Sequence, residues 1–342
     1  MMKALLVFFS FFVSVFFAET INASNDATII PEEHRRGEDQ TYLTLPEWNL
    51  VHSPDELADF LVDRNPSEFP YWGHIKQFWD TYDTVHQATK DKYEFNAEYH
   101  TMIGVIGVST TVEYGGKGIY EKIVGRLTEV SRSHGLTEED KYSAKIAREY
   151  VDFIEEIPWY EFDYWGKLKG LWSDTSFFGK DFIRKVERKY ILTSEYGFKA
   201  IYGWLIKKAT QSSFEKPISE TYAVVTSDKP IPASYKTIKQ MAPNRALISL
   251  PRYFPFTQAS IDLAAEGIQF EEIAGNKGVI LVSLLVKESI QDRERGNLLL
   301  RQPILTKTGL TRMVYEVDVA KLSSFLYKAN QTGAVIEHVY DY

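Results

Sequence analysis

Glu113–Thr128 reads EYGGKGIYEKIVGRLT, and Glu195–Thr210 reads EYGFKAIYGWLIKKAT. Seven of the sixteen aligned positions are identical, and Gly118/Ala200, Ile123/Leu205 and Arg126/Lys208 are close exchanges. The match continues upstream. Glu68–Trp79 (EFPYWGHIKQFW) aligns with Glu161–Trp172 (EFDYWGKLKGLW), and Glu56–Leu61 (ELADFL) with Glu149–Ile154 (EYVDFI). Both upstream blocks are offset by 93 residues and the EYG block by 82, so the second copy lacks eleven residues between blocks. Three blocks in one order predict an internal duplication, with helical units over 53–131 and 146–212 packed about an approximate two-fold.

Local signals fit helices throughout this region. Ser53-Pro54-Asp55-Glu56 is a helix-start pattern, with a capping hydroxyl, a first-turn proline and two acids at the positive end of the dipole. Trp72, Ile75, Phe78, Trp79, Tyr82 and Val85 recur at spacings of three and four and predict a second helix from about Glu68. A long helix is expected over Phe95–Ser131, about 55 Å at 1.5 Å per residue. Thr137-Glu138-Glu139-Asp140 should cap a fourth, running to Ile157, and another should cover Gly179–Gln211. Thr41–His52 reads as a short strand or extended entry piece.

After Ser212 the texture changes to strands at Thr221–Thr226, Ala246–Leu250, Gln269–Ala274, Val279–Lys287, Leu298–Leu305, Met313–Val317 and Ala334–Tyr340. Helices are expected at Thr257–Glu266 and Val319–Gln331, with Ser289–Asn297 a charged excursion. This order suggests a ferredoxin-like sandwich with an inserted hairpin. The expected fold class is therefore α+β: a duplicated all-α helical domain over 53–212, then a smaller ferredoxin-like α+β domain over 218–342. Residues 1–23 read as a signal peptide or membrane anchor, and 24–52 as a tether and entry segment.

At the N-terminus a basic Met1-Met2-Lys3 precedes the apolar run Ala4–Ala18, broken only by Ser10 and Ser14. Fifteen residues suit a secretory apolar region and fall short of the ~20 of a spanning helix. Phe16 or Ile21 would stand at the −3 position of cleavage after Ala18 or Ala23, so an uncleaved anchor competes with a cleaved signal. Either places the body in the cell envelope, periplasmic or otherwise extracytoplasmic. Asn22 and Asn330 match the glycosylation acceptor pattern, relevant only in a eukaryotic secretory route.

The 342 residues carry a net charge of −8 and no cysteine. The charge gives no basic face for nucleic acid. The missing thiols exclude disulfides, thiolate metal sites and a cysteine nucleophile. Aromatic content is 14%, concentrated in the helical part, which fits aromatic helix packing, an aromatic cleft or a membrane-interface belt.

The candidate ligand-binding residues are Glu113, Lys117 and Tyr120 with their counterparts Glu195, Lys199 and Tyr202. Each Glu–Lys pair has the favourable four-residue order on a helix. Thr111, Gly115 and Gly118, matched by Thr193, Gly197 and Ala200, form a small-residue stripe that suits a close helix crossing. The bland reading is a crossing stapled by Glu–Lys pairs; the functional one is a polar pocket there. The apolar run Met102–Val112 pairs with the charge-rich Arg184–Ser194, so a buried core helix is expected and membrane insertion is not.

No HExxH or ExxH spacing occurs among His34, His52, His74, His86, His100, His134 and His338, and Glu94, Glu98 and His100 do not share one face, so no metal site is assigned. There is no GxSxG, no GxGxxG and no phosphate loop. Gly107-Val108-Ser109 lacks the second glycine, and Glu47, His52 and Glu68 would serve acid–base chemistry only if they converged. No catalytic residue and no cofactor is assigned. The expected function is a non-catalytic envelope module binding a protein partner or a small ligand. The alternatives are an enzyme with a carboxylate/His site in the helical domain, or a lipid-surface protein using Trp72, Trp79, Trp165 and Trp172.

Overall fold

The computed structural model describes residues 28–132, 135–210, 219–287 and 296–342. The N-terminal apolar run, Asn22, His134 and most of the charged excursion at 289–297 lie outside the described residues. The helices are α1 (Gln40–Glu47), α2 (Asn49–Leu61), α3 (Tyr71–Thr89), α4 (Ala97–Tyr120), α5 (Arg126–Val130), α6 (Glu138–Ile154), α7 (Tyr164–Ser173), α8 (Phe182–Thr210), α9 (Phe254–Ala265) and α10 (Leu322–Gln331). The strands are β1 (Glu220–Thr226), β2 (Lys236–Ala242), β3 (Arg245–Pro251), β4 (Gln269–Ile273), β5 (Val279–Lys287), β6 (Asn297–Pro303), β7 (Leu310–Asp318) and β8 (Val335–Tyr340). The class is mixed α+β, with a helical region followed by two small antiparallel sheets.

Two compact units divide the chain. One holds the described residues of Trp48–Trp79 and Ala97–Glu215, the other those of Glu19–Glu47, Asp80–Asn96 and Lys216–Tyr342.

In the helical unit, α2 begins one turn before the start signal, so Pro54 lies inside it. The packing face explains the extension: His52, Ser53, Glu56, Ala58 and Phe60 are all buried, and burial there outweighs one missing backbone hydrogen bond. The long helix expected over 95–131 is α4, a π-helical turn at Glu121–Gly125, then α5. A π turn inserts an extra residue and re-aims the helical turns beyond it. Here it accompanies an inward Glu121, whose carboxylate meets Arg188 at 2.9 Å. Thr137 caps α6 in a reciprocal box with Asp140.

Matching stretches make matching contacts. Trp79 Nε1 donates to Thr111 Oγ1 at 3.0 Å, and Trp172 Nε1 to Thr193 Oγ1 at 3.0 Å. Phe69 and Tyr71 meet edge-on at 4.9 Å and 67°, as do Phe162 and Tyr164. Short 3-10 turns at Pro66–Glu68 and Trp159–Glu161 precede α3 and α7. The buried core helix expected at Met102–Val112 needs correction. Ile103 and Gly107 are buried, but Val108 and Val112 are 45% and 70% exposed. The charged counterpart is the more enclosed: Arg184 and Arg188 are 0% and 1% exposed. Both Arg184 terminal nitrogens and Arg188 bond Asp140, Glu187, Glu121 and the Gly125 carbonyl, leaving Arg184 Nε without a hydrogen bond, and this charge pairing is what lets them go inside.

The sheet unit, expected as a ferredoxin-like sandwich with an inserted hairpin, holds two sheets, ordered β2-β3-β1-β4 and β6-β7-β5-β8, antiparallel throughout. Each sheet is built by the same element order, three strands, a helix and a last strand. β2 escapes sequence reading because it is an edge strand of mixed exposure, KTIKQMA, with no clean alternation. One core joins both sheets to α9 and α10. Each helix reaches the other half's final strand region: Thr257 Oγ1 accepts from Val339 N (2.9 Å), and Ser323 Oγ donates to Ile268 O (2.6 Å). Gly267 and Gly333, at φ 83° and 72°, let the chain leave α9 and α10 in the left-handed region that ends helices.

The segment read as a tether belongs to this unit's core from Thr28 onward. Ile30 and Tyr42 are fully buried. Thr41 Oγ1 donates to Tyr340 O (2.7 Å) and accepts from Leu281 N (2.9 Å). Thr41–Glu47 is helical where an extended piece was expected, because Tyr42, Leu43, Leu45 and Pro46 give α1 a buried face.

Candidate functional site

The two copies of the EYG motif bring four charges into one ring. Lys117 Nζ lies 2.7 Å from Glu195 Oε1 and 3.2 Å from Glu113 Oε1. Lys199 Nζ lies 2.9 Å from Glu113 Oε1 and 3.2 Å from Glu195 Oε1. Each lysine therefore bonds the carboxylate of its own helix and, at shorter range, that of the other. Burial would raise the Glu113 pKa, but Lys199 and Lys117 outweigh it and hold it at about 2. Glu195 is lowered in the same way, with burial again opposing. Burial disfavours the Lys199 ammonium, yet Glu113, Tyr164 and Glu195 keep it well above its ordinary value. Glu113, Glu195 and Lys199 are therefore charged at neutral pH.

The ring borders a cavity of about 140 Å³. Glu113, Lys117, Tyr120, Glu195 and Lys199 all line it, and Tyr202 does not. Tyr202 instead stacks on Trp159 and Phe198. Its match with Tyr120 is therefore one of sequence, since Tyr120 faces the cavity and is held protonated by burial and by Glu187. Lys199 Nζ also lies 5.5 and 5.7 Å from the ring centres of Tyr150 and Tyr164. Glu113 keeps 41% of its side-chain surface accessible, so water reaches the ring.

The expected backbone-to-backbone crossing is not how the motif helices meet. A Cβ on Gly115 would stand 3.4 Å from the Trp72 ring, one on Gly118 3.2 Å from Tyr71, and one on Gly197 would meet nothing within 4 Å. The small residues of the first copy make room for aromatics of α3, and long charged side chains join the helices. The tight approach is at Gly107, where a Cβ would fall 2.5 Å from Phe78 and 2.7 Å from Trp79.

Sequence reading missed a polar chain on the cavity wall. Ser53 Oγ, read as a helix cap, lies 2.9 Å from His74 Nδ1 and 3.1 Å from the Tyr114 hydroxyl. His74 Nε2 faces Glu56 Oε2 at 3.7 Å. Ser53, His74 and Glu56 are all buried. Ser53 and Tyr114 line the cavity, with His74 and Glu56 behind them. The signal lay in where the repeat fails: at the 93-residue offset Ser53 faces Ile146 and His74 faces Lys167, while Glu56 keeps its partner Glu149.

Of the other candidates, none of Glu47, His52 and Glu68 lines the cavity. His52 packs against Trp48 at 5.9 Å, Glu68 is exposed, and Glu47 belongs to the sheet unit, where burial lifts its pKa to about 7 against the pull of Arg252. Among the described residues no three His, Asp or Glu side chains are grouped to hold a metal. Trp72, Trp165 and Trp172 are about half exposed. No protein-family model, curated protein or solved structure matches the chain.

Proposed function

We propose that the helical unit is a small-ligand-binding module whose pocket lies at the seam of the two EYG motifs. The observation that carries this reading is a cavity walled by both Glu–Lys pairs. The charge set selects the ligand. A simple anion would satisfy the lysines and strand two carboxylates in a confined site, which is costly. A zwitterion offers a carboxylate to the lysines and an ammonium to the glutamates, and leaves nothing unpaired. At about 140 Å³ the site suits a molecule of amino-acid size. Titration with the common amino acids and small betaines, followed by calorimetry and melting temperature, tests the reading. A zwitterion should bind wild type and lose affinity in Lys117→Met and Lys199→Met; no binding by any member to wild type would overturn it.

We propose further that the helical region arose by duplication, which the paired Trp–Thr and Phe–Tyr contacts support. Each half of the sheet region is read as ferredoxin-like without its first crossover helix, since the order 4-1-3-2 and the antiparallel directions suit that fold. The chain is proposed to work in the cell envelope, exported or anchored through residues 1–23, and this rests on the Ala4–Ala18 apolar run.

A further inference from the structure

We propose that Ser53 is a nucleophile, activated by His74 and Glu56, that cleaves small carboxylic esters inside the seam cavity. The proposal rests on the reading of that cavity as a ligand site and adds a reaction to it.

A serine inside a helix ordinarily turns its hydroxyl to the carbonyl one turn back. The Ser53 hydroxyl instead meets His74 Nδ1 at 2.9 Å, within proton-transfer reach. The imidazole is held in plane by stacking on Phe69 at 4.6 Å and 14°. With its other nitrogen directed at Glu56, 3.7 Å away, the ring can carry its proton on Nε2 and keep Nδ1 as the base. Glu56 then stabilises the imidazolium that forms. This is the serine–histidine–carboxylate logic with the two ring nitrogens exchanged, and such a set is recognised by geometry and role. Ser53 Oγ also donates to the Tyr114 oxygen at 3.1 Å, and burial holds the Tyr114 hydroxyl above its ordinary pKa, so Tyr114 keeps its own proton and can turn it toward an oxyanion.

The matched stretch shows what the fold alone requires. At the Ser53 position it has Ile146, buried in an apolar cluster. At the His74 position it has Lys167, whose ammonium pairs with Glu149 at 2.5 Å. An apolar side chain and an ordinary ion pair suffice there. The first stretch replaces them with a hydroxyl and an imidazole in series, on a serine that lines the cavity.

In the reaction Ser53 Oγ bonds to the carbonyl carbon and its proton passes to His74. The bond to the alcohol oxygen then breaks, and that oxygen takes the proton from His74. Water repeats the sequence on the acyl-serine and releases the carboxylic acid. The cavity limits substrates to short acyl groups on small polar alcohols, with the charged end at the Glu–Lys ring.

The test uses full-length protein and two small serine reagents, diethyl p-nitrophenyl phosphate and phenylmethylsulfonyl fluoride. The expected result is release of one p-nitrophenolate per chain and a diethylphosphoryl adduct on the Ser53 peptide by mass spectrometry. Ser53→Ala should abolish both with its melting temperature kept. His74→Gln should slow labelling by about a hundredfold or more. Glu56→Gln should lower the maximal inactivation rate by about tenfold without changing reagent affinity, a split that a purely structural role would not give. Failure of both reagents to modify Ser53 in folded wild type, or an adduct on another residue, overturns the proposal. Zwitterion binding is read separately: if Ser53→Ala and wild type bind it alike while neither is labelled, the ligand reading stands and the ester chemistry falls.

Discussion

Lys199 Nζ sits between two carboxylates at 2.9 and 3.2 Å, and each of those also touches Lys117. Removing one ammonium leaves two carboxylates sharing the other. Lys199→Met should therefore destabilise the helical unit by about 2 kcal/mol, less than the ~3–5 of a fully buried pair because water reaches Glu113. Chemical denaturation at pH 7 measures this. The same ring sets an acid limit. Glu113 titrates at about 2 when folded against about 4.5 ordinarily, so its contribution is complete above pH 4.5 and is lost as pH falls toward 2. Wild type should lose denaturant resistance over that window, and Lys199→Met should show a shallower dependence. An identical pH profile would mean that the lysine does not set the Glu113 pKa. Two glycines give a sharper contrast. Gly107→Ala forces a Cβ within 2.5 Å of Phe78 and should cost about 1–3 kcal/mol. Gly197→Ala meets open space inside α8 and should stabilise by up to about 1 kcal/mol through helix propensity. Equal melting shifts for the two would refute this account of the packing.

Among elements, the two indole-to-threonine bonds offer a direct comparison. Thr111 and Thr193 each accept from a tryptophan at 3.0 Å. Thr111→Val and Thr193→Val should each cost about 1 kcal/mol, with the larger effect at Thr111, the less accessible of the two contacts. Unchanged stability in both would mean that these bonds do not hold α4 to α3 or α8 to α7. The matched positions were legible in the sequence, Trp79 and Trp172 at one offset and Thr111 and Thr193 at the other, but the bonds between them were not, since the threonines were read as part of a helix-crossing stripe. The features that stayed hidden depend on partners distant in sequence. Ser53 has the local signature of a cap, and only the approach of His74 and Tyr114 gives it another use. The π turn at Glu121–Gly125 accompanies a contact between Glu121 and Arg188, 67 residues away. The edge strand β2 was hidden because its polar pattern leaves no alternation to read. The stripe at Gly115 and Gly197 was visible, but its purpose was not, because a missing Cβ does not say whether an aromatic ring or open space stands opposite.

For the whole molecule the question is whether it meets a membrane at all. Among the described residues no helix is long and apolar enough to cross one. The helical unit does expose apolar side chains, with Val112, Leu127 and Val130 along α4 and α5 and Phe198, Ile201 and Trp204 along α8. Exposed aromatics and aliphatics of this kind hold a protein at a lipid surface reversibly, whereas an uncleaved apolar N-terminus would hold it firmly. Fractionation of the full chain made in a bacterial host separates these routes. Export with removal of residues 1–23 predicts a shortened mass in the periplasmic fraction. An anchor predicts the full mass in the membrane fraction, resistant to alkaline carbonate. Surface binding alone predicts release by carbonate and flotation of the purified chain lacking residues 1–23 with anionic lipid vesicles. A full-length, cytosolic protein that neither floats nor pellets would remove the envelope assignment, and would leave the seam cavity to be explained by a ligand of the cytoplasm.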